Sequence, residues 1–183
     1  MEEPRHAESP GRWEEEATES GCSSPGETVY REVTNLLTGC AVNFTVHEHE
    51  PVVSIEEAER KAPSLVDGLL KTVVFRVKDS FWVLAAVRCH DRIDYRRLAA
   101  ALGVNRRQIR SLSPAEVERD LGFAVGGVGP IPLRNNVRAV FDQHLSGAGR
   151  VRCGSGRNTH TLELDFQDLL RVTGGIVSPI VRE

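Results

Sequence analysis

Sulfur and rings are scarce in this chain of 183 residues. Its four cysteines, Cys22, Cys40, Cys89 and Cys153, stand far apart and form no C-x-x-C pair. That spacing speaks against a disulfide framework or a zinc site and leaves free thiols as the expectation. Aromatic residues make up only 5% of the sequence, so a core must be assembled from Val, Leu, Ile and Ala. No run approaches the roughly 18 apolar residues that a membrane-spanning helix needs. The acidic N-terminus lacks a basic segment followed by an apolar stretch, so no secretory signal is expected and the cytoplasm is the default location. Catalytic signatures are missing too. There is no G-x-x-x-x-G-K-[ST] phosphate loop and no H-E-x-x-H metal helix. Gly154-Ser155-Gly156 begins a G-x-G-x-x-G pattern that fails at Thr159, and Cys153 occupies the first glycine position of a nucleophile elbow around Ser155. His47 and His49 could share a strand face, but two ligands are too few for a metal site.

What is present is a soluble composition, with 40% hydrophobic and 27% charged residues. The net charge of −3 is unevenly spread. Residues 1–27 hold eight Glu against Arg5 and Arg12, so the rest of the chain is mildly basic. That first segment mixes Glu, Ser, Gly and Pro with almost no aliphatic residues and cannot offset its ordering entropy. It is expected to be a disordered acidic extension, with one domain over 28–183. Arginines cluster at Arg92, Arg96, Arg97, Arg106, Arg107 and Arg110. A basic body permits contact with nucleic acid without proving it.

Periodicity and caps predict the elements. A helix starts near Thr28, with Val29, Val33, Leu36 and Leu37 on one face and Gly39 at its end. Strands are predicted over 41–47, 71–77, 81–87, 108–112, 137–141, 151–153 and 159–164. Lys78-Asp79-Ser80 joins the second and third as the clearest hairpin. Ser54, Asp94, Ser113 and Asp165 head four further helices, and Ser113-Pro114-Ala115-Glu116 carries a cap, an N1 proline and a capping-box glutamate. Strands and helices alternate irregularly, which predicts an α+β domain with a mixed, curved, mostly antiparallel sheet flanked by helices.

Two features could carry chemistry. Lys71 heads an apolar strand, where a lysine can act as a point charge toward phosphate or remain a snorkelling edge residue. The loop Gly126-Gly127-Val128-Gly129-Pro130 combines close backbone approach with a fixed path. Its N–H groups could cradle an oxyanion, or it could be a tight connection. In order along the chain come His47-Glu48-His49-Glu50-Pro51, the Ser54 helix, Leu70-Lys71-Thr72-Val73-Val74, the helix from Asp94, Ser113-Pro114-Ala115-Glu116, Gly122 to Pro130, and Gly154-Ser155-Gly156 before Leu162-Glu163-Leu164.

This order resembles the YbaK family of free-standing aminoacyl-tRNA deacylases, whose fold is also the editing insertion of bacterial prolyl-tRNA synthetases. The resemblance covers about residues 28–180. It implies a hydrolase that frees a wrong amino acid from the 3′ end of tRNA, a second sieve where binding alone discriminates too weakly. It implies that Lys71 holds the phosphate or ribose of the terminal adenosine. Gly126, Gly127, Val128, Gly129 and Pro130 would bind the carbonyl and position water. His47, Thr72, Gly154, Ser155, Gly156 and His160 would contact substrate. No cofactor, metal or nucleophilic side chain is implied. The implied partners are aminoacyl-tRNA and, as a candidate, an aminoacyl-tRNA synthetase. The alternative is a non-catalytic module of the same fold that binds a nucleotide or a tRNA end.

Overall fold

The computed structural model describes residues 24–182. The acidic extension therefore lies outside the described residues up to position 23, as does Cys22. Ser24 to Glu27, placed with the extension in the sequence reading, belong to the folded part: the Ser24 carbonyl accepts from the Glu27 N–H, and Glu27 opens the first helix.

The element order is α1 (Glu27–Gly39), β1 (Phe44–Glu48), α2 (Ile55–Lys61), β2 (Leu70–Val77), β3 (Trp82–Arg88), α3 (Tyr95–Leu102), β4 (Ile109–Ser111), α4 (Pro114–Leu121), β5 (Val137–Asp142), β6 (Arg150–Gly154), β7 (His160–Asp165), α5 (Phe166–Thr173) and β8 (Ile176–Ser178), with three single 3-10 turns between them. Caps set the helix ends. The Ser54 hydroxyl accepts from the Glu57 N–H, the Asp94 carboxylate from Arg96 and Arg97, and the Asp165 carboxylate from Gln167. Ser113 and Glu116 form the predicted reciprocal box.

The strands make two sheets rather than one. β4-β2-β3-β5-β8 forms a five-stranded sheet, and β1-β7-β6 a three-stranded one. Only β3–β5 and β5–β8 are parallel, so the expected mixed, mostly antiparallel character holds. A single bridge, Leu69 with Arg152, ties the head of β2 to β6.

The central hairpin is buried on both faces, so β2 and β3 read as apolar runs rather than as alternation. Phe75, Val77, Val83, Ala85 and Val87 pack with Leu98, Ala99 and Leu102 of α3. On the other face Val74, Leu84 and Ala86 join Leu162 and Leu164 of the second sheet, with Val33 and Leu37 of α1. Each large side chain buried here contributes about 1.5–3 kcal/mol. Among the described residues no helix is long and apolar enough to cross a membrane.

Candidate active site

The two sheets diverge around the head of β2, and a cavity of about 420 Å³ opens there. Its walls come from β2 (Lys71, Thr72), the α2 segment (Val52 to Ala58), the glycine loop (Gly126, Val128) and the β6–β7 hairpin (Gly154, Arg157, Asn158, His160, Thr161).

Lys71 is placed by strand register. It sits opposite Val87, and the Cys89 N–H donates to the Leu69 carbonyl, which draws the β3–α3 connection over the end of β2. The Lys71 ammonium donates to the Asp91 carbonyl at 2.5 Å. Thr72 stands beside it with a buried hydroxyl that has no hydrogen-bond partner among the described residues. The two side chains leave opposite faces of the strand, yet both border the cavity because the strand ends there.

The loop and the hairpin are zipped together through main chain. Ala124 N–H donates to the Gly156 carbonyl, and Gly156 N–H to the Gly127 carbonyl. A Cβ on Gly129 would lie 2.0 Å from the Gly154 oxygen, and one on Gly154 would lie 2.3 Å from the Val128 oxygen. Only glycine permits this approach. Gly127 is equally enclosed, and its N–H is already donated to Ala124. The Cβ position of Gly127 faces the backbone of Gly156 and Arg157. The Val128 N–H, by contrast, has no acceptor among the described residues.

The candidate residues divide accordingly. Lys71, Thr72, Gly126, Val128, Gly154 and His160 border the cavity; Gly127, Gly129, Pro130, Ser155, Gly156 and His47 do not. Ser155 is fully buried and donates its hydroxyl to the His160 carbonyl at 2.7 Å. His47 is drawn off by Glu163, with Nε2 2.8 Å from its carboxylate. Arg150 and Arg152 approach the same carboxylate at 2.8 and 2.9 Å. Arg152 also donates to the carbonyls of Ser64 and Asp67, so this cluster fastens the segment after α2 onto the three-stranded sheet.

Arg152 and then His47 hold the Glu163 carboxyl down to about 2. A depressed carboxyl stabilises the fold above its unfolded value near 4.5, and that contribution disappears as pH falls through about 2. Glu163→Gln should therefore lower Tm at neutral pH, and the gap to wild type should close between about pH 4.5 and pH 2. Thermal melts across that range check it; a gap independent of pH would deny the ionic role.

Of the pair His47 and His49, it is His49 that borders the cavity. A carbonyl can only accept, so the contact of Nδ1 with the Glu50 oxygen at 2.8 Å places the proton there. In the neutral ring Nε2 then accepts from the Thr161 hydroxyl at 2.9 Å. Period two puts His47 and His49 on one face, and only the pairing of β1 with β7 decides which of them meets the cavity. Arg157 is held by Glu27 at 3.2 Å. His160 lies 5.0 Å from the Tyr30 ring, and burial, then the charge of Arg157, holds it below the ordinary histidine range. Burial pushes the Cys153 thiol up to about 12, which removes it as a nucleophile.

Comparison with known proteins gives this geometry a context. A family model, Aminoacyl-tRNA editing domain, matches residues 49–172. The prolyl-tRNA editing protein ProX of Acetoanaerobium sticklandii is 28% identical over 136 residues, covering 72% of this chain and 82% of its own. The proline–tRNA ligase of Limosilactobacillus fermentum is 26% identical over 106 residues, 56% of this chain but only 18% of the ligase. Among solved structures, one described as a candidate trans-editing enzyme for prolyl tRNA synthetase superposes with a TM-score of 0.71 at 25% identity, covering 88% of this chain and 99% of its own. A second, described as hypothetical, reaches 0.73 at 21% identity over 82% of this chain and 99% of its own. The lysine-headed strand and the glycine loop thus lie inside a matched region that spans most of the described fold, and the chain belongs to the aminoacyl-tRNA editing domain family.

Proposed function

We propose that this protein is a trans-editing hydrolase. It cleaves the ester between a wrong amino acid and the 3′ end of tRNA, with proline-accepting tRNA the class its relatives indicate. Its partners are that tRNA end and an aminoacyl-tRNA synthetase, and it works in the cytoplasm. The observation that carries this reading is that Lys71 and Val128 of the glycine loop, whose N–H has no acceptor among the described residues, border one cavity.

The ammonium has three donors, and Asp91 takes one. The others remain for the phosphate or ribose of the terminal adenosine. Water adds to the ester carbonyl, and negative charge develops on its oxygen. A fixed main-chain N–H stabilises that charge without reorganisation, and Val128 supplies it. The carbon–oxygen bond to ribose then breaks, and the ribose oxygen leaves with a proton. The neighbouring ribose hydroxyl relays the proton, so neither a nucleophilic side chain nor a metal takes part. The ester is already activated, so modest catalysis suffices, and the pocket's work is discrimination.

The decisive experiment is single-turnover deacylation of a panel of misacylated tRNAs. Hydrolysis of at least one, well above the uncatalysed rate, is expected. If none is cleaved while tRNA still binds, the non-catalytic module replaces this reading.

The acidic segment adds a separate expectation. Residues 1–23 hold seven Glu and two Arg, a charge that repels phosphate. Removing them should raise tRNA affinity at low salt and leave turnover unchanged. The cut belongs at 23, because Gly26 and Glu27 are part of the fold. An affinity unchanged or lowered by the truncation at low salt would refute the repulsion.

A further inference from the structure

The arginine cluster of residues 92–110 is divided by the fold. Lys78 N–H donates to the Gln108 carbonyl, which places Arg106, Arg107 and Arg110 at the hairpin-turn end of β2. That end is roughly 20 Å along the strand from its head. There Arg110 is paired with Glu116 at 3.0 Å, and Arg106 stacks on Tyr95.

Arg92 and Arg96 lie outside the cavity lining, on the β3–α3 connection and in the first turn of α3. Lys71 donates to the carbonyl of Asp91, the residue before Arg92. Both arginines are exposed, and neither makes an ion pair among the described residues. Of the nearby acids, the Asp94 carboxylate caps α3 by accepting from the N–H groups of Arg96 and Arg97 and feels the Arg96 charge, and Glu59 lies 3.5 Å from His90. Arg96 also sits where a cation is locally unfavourable, in the first turn of a helix. α1, α2, α4 and α5 each place an acid in that turn, whereas α3 has none there. Exposed arginines without an ion pair among the described residues are available to a phosphate from outside the chain.

We infer that Arg92 and Arg96 bind the backbone phosphates of the single strand that leads into the cavity, immediately upstream of the nucleoside held by Lys71. The inference rests on the reading of the cavity as a site for the tRNA 3′ end. Arg92 is the nearer contact and Arg96 the next along the strand. They confer affinity for tRNA, while the ester-cleaving groups remain those of the cavity.

The test compares R92Q/R96Q with K78Q/R107Q, which removes the same charge at the far end of β2. Affinity for uncharged tRNA is measured across a salt series. Hydrolysis is measured on aminoacyl-tRNA and on a 3′-aminoacyl-adenosine, which has no upstream phosphate. R92Q/R96Q should weaken tRNA binding on the order of tenfold and lower the log–log salt slope by about 1.4, or about 0.7 per lost phosphate contact. Its cleavage of the aminoacyl-adenosine should match wild type, its Tm should not fall, and K78Q/R107Q should behave as wild type throughout. Unchanged affinity and slope in R92Q/R96Q would overturn the inference. So would an equal loss in K78Q/R107Q, or an equal loss on the aminoacyl-adenosine. If wild type cleaves neither ester yet R92Q/R96Q still loses tRNA affinity and slope, the hydrolase reading fails and the phosphate-binding surface stands.

Discussion

Lys71→Ala is expected to slow single-turnover deacylation by about 10- to 150-fold with the fold intact. The estimate follows from losing one charge-assisted hydrogen bond to phosphate or ribose, worth about 1.5–3 kcal/mol. Among the described residues the side chain makes one hydrogen bond, to the Asp91 carbonyl, so its removal should lower Tm by only a few degrees. Lys71→Arg keeps the charge but replaces a compact ammonium with a planar fork, and should restore activity only in part. A Lys71→Ala protein that melts like wild type and cleaves at the wild-type rate would remove Lys71 from the mechanism.

Gly129→Ala should cost about 3 kcal/mol or more in stability and lower Tm by about 6–12 °C. Its methyl would stand 2.0 Å from the Gly154 oxygen and 2.9 Å from the Gly154 carbon, and both atoms are main chain. No side chain can swing aside, so the loop and the hairpin must separate. Activity then falls because the wall opens, without the new methyl meeting substrate. Gly127→Ala acts the same way, with its Cβ 2.6 Å from the Gly156 oxygen. Calorimetry separates this from a purely catalytic loss: a Gly129→Ala protein with wild-type Tm and no activity would place the glycine against substrate instead.

The sequence made the helices legible because their ends are chemical. Ser54, Ser113 and Asp165 were read as caps and Asp94 as a helix start, and each accepts a first-turn N–H. Lys71 could be found because a lone lysine stands out at the head of an apolar strand. β8 could not. Ile176 and Val177 are exposed, and the three-residue strand shows no alternation. It is held from a distance: the buried Asp142 carboxylate accepts from the N–H groups of Ile180 and Val181. Burial alone would raise that carboxyl, but these donors and His144 outweigh it and hold it below the ordinary aspartate range. The site was legible by segment and not by residue. Gly154-Ser155-Gly156 was marked as a unit, yet only Gly154 borders the cavity, while Ser155 and Gly156 serve the packing beneath it. The swap of His47 for His49 likewise needed a tertiary pairing, that of β1 with β7.

The Gly129–Gly154 contact leaves the cavity with one fixed jaw and one adjustable jaw. The fixed jaw is main chain against main chain, and a substitution there breaks the fold before it can reshape the opening. The α2 side carries side chains, Val52, Ile55 and Ala58, whose size can change without a methyl entering the Gly129–Gly154 contact. A library meant to alter the pocket's selectivity therefore belongs on the α2 side, with the glycine loop left untouched.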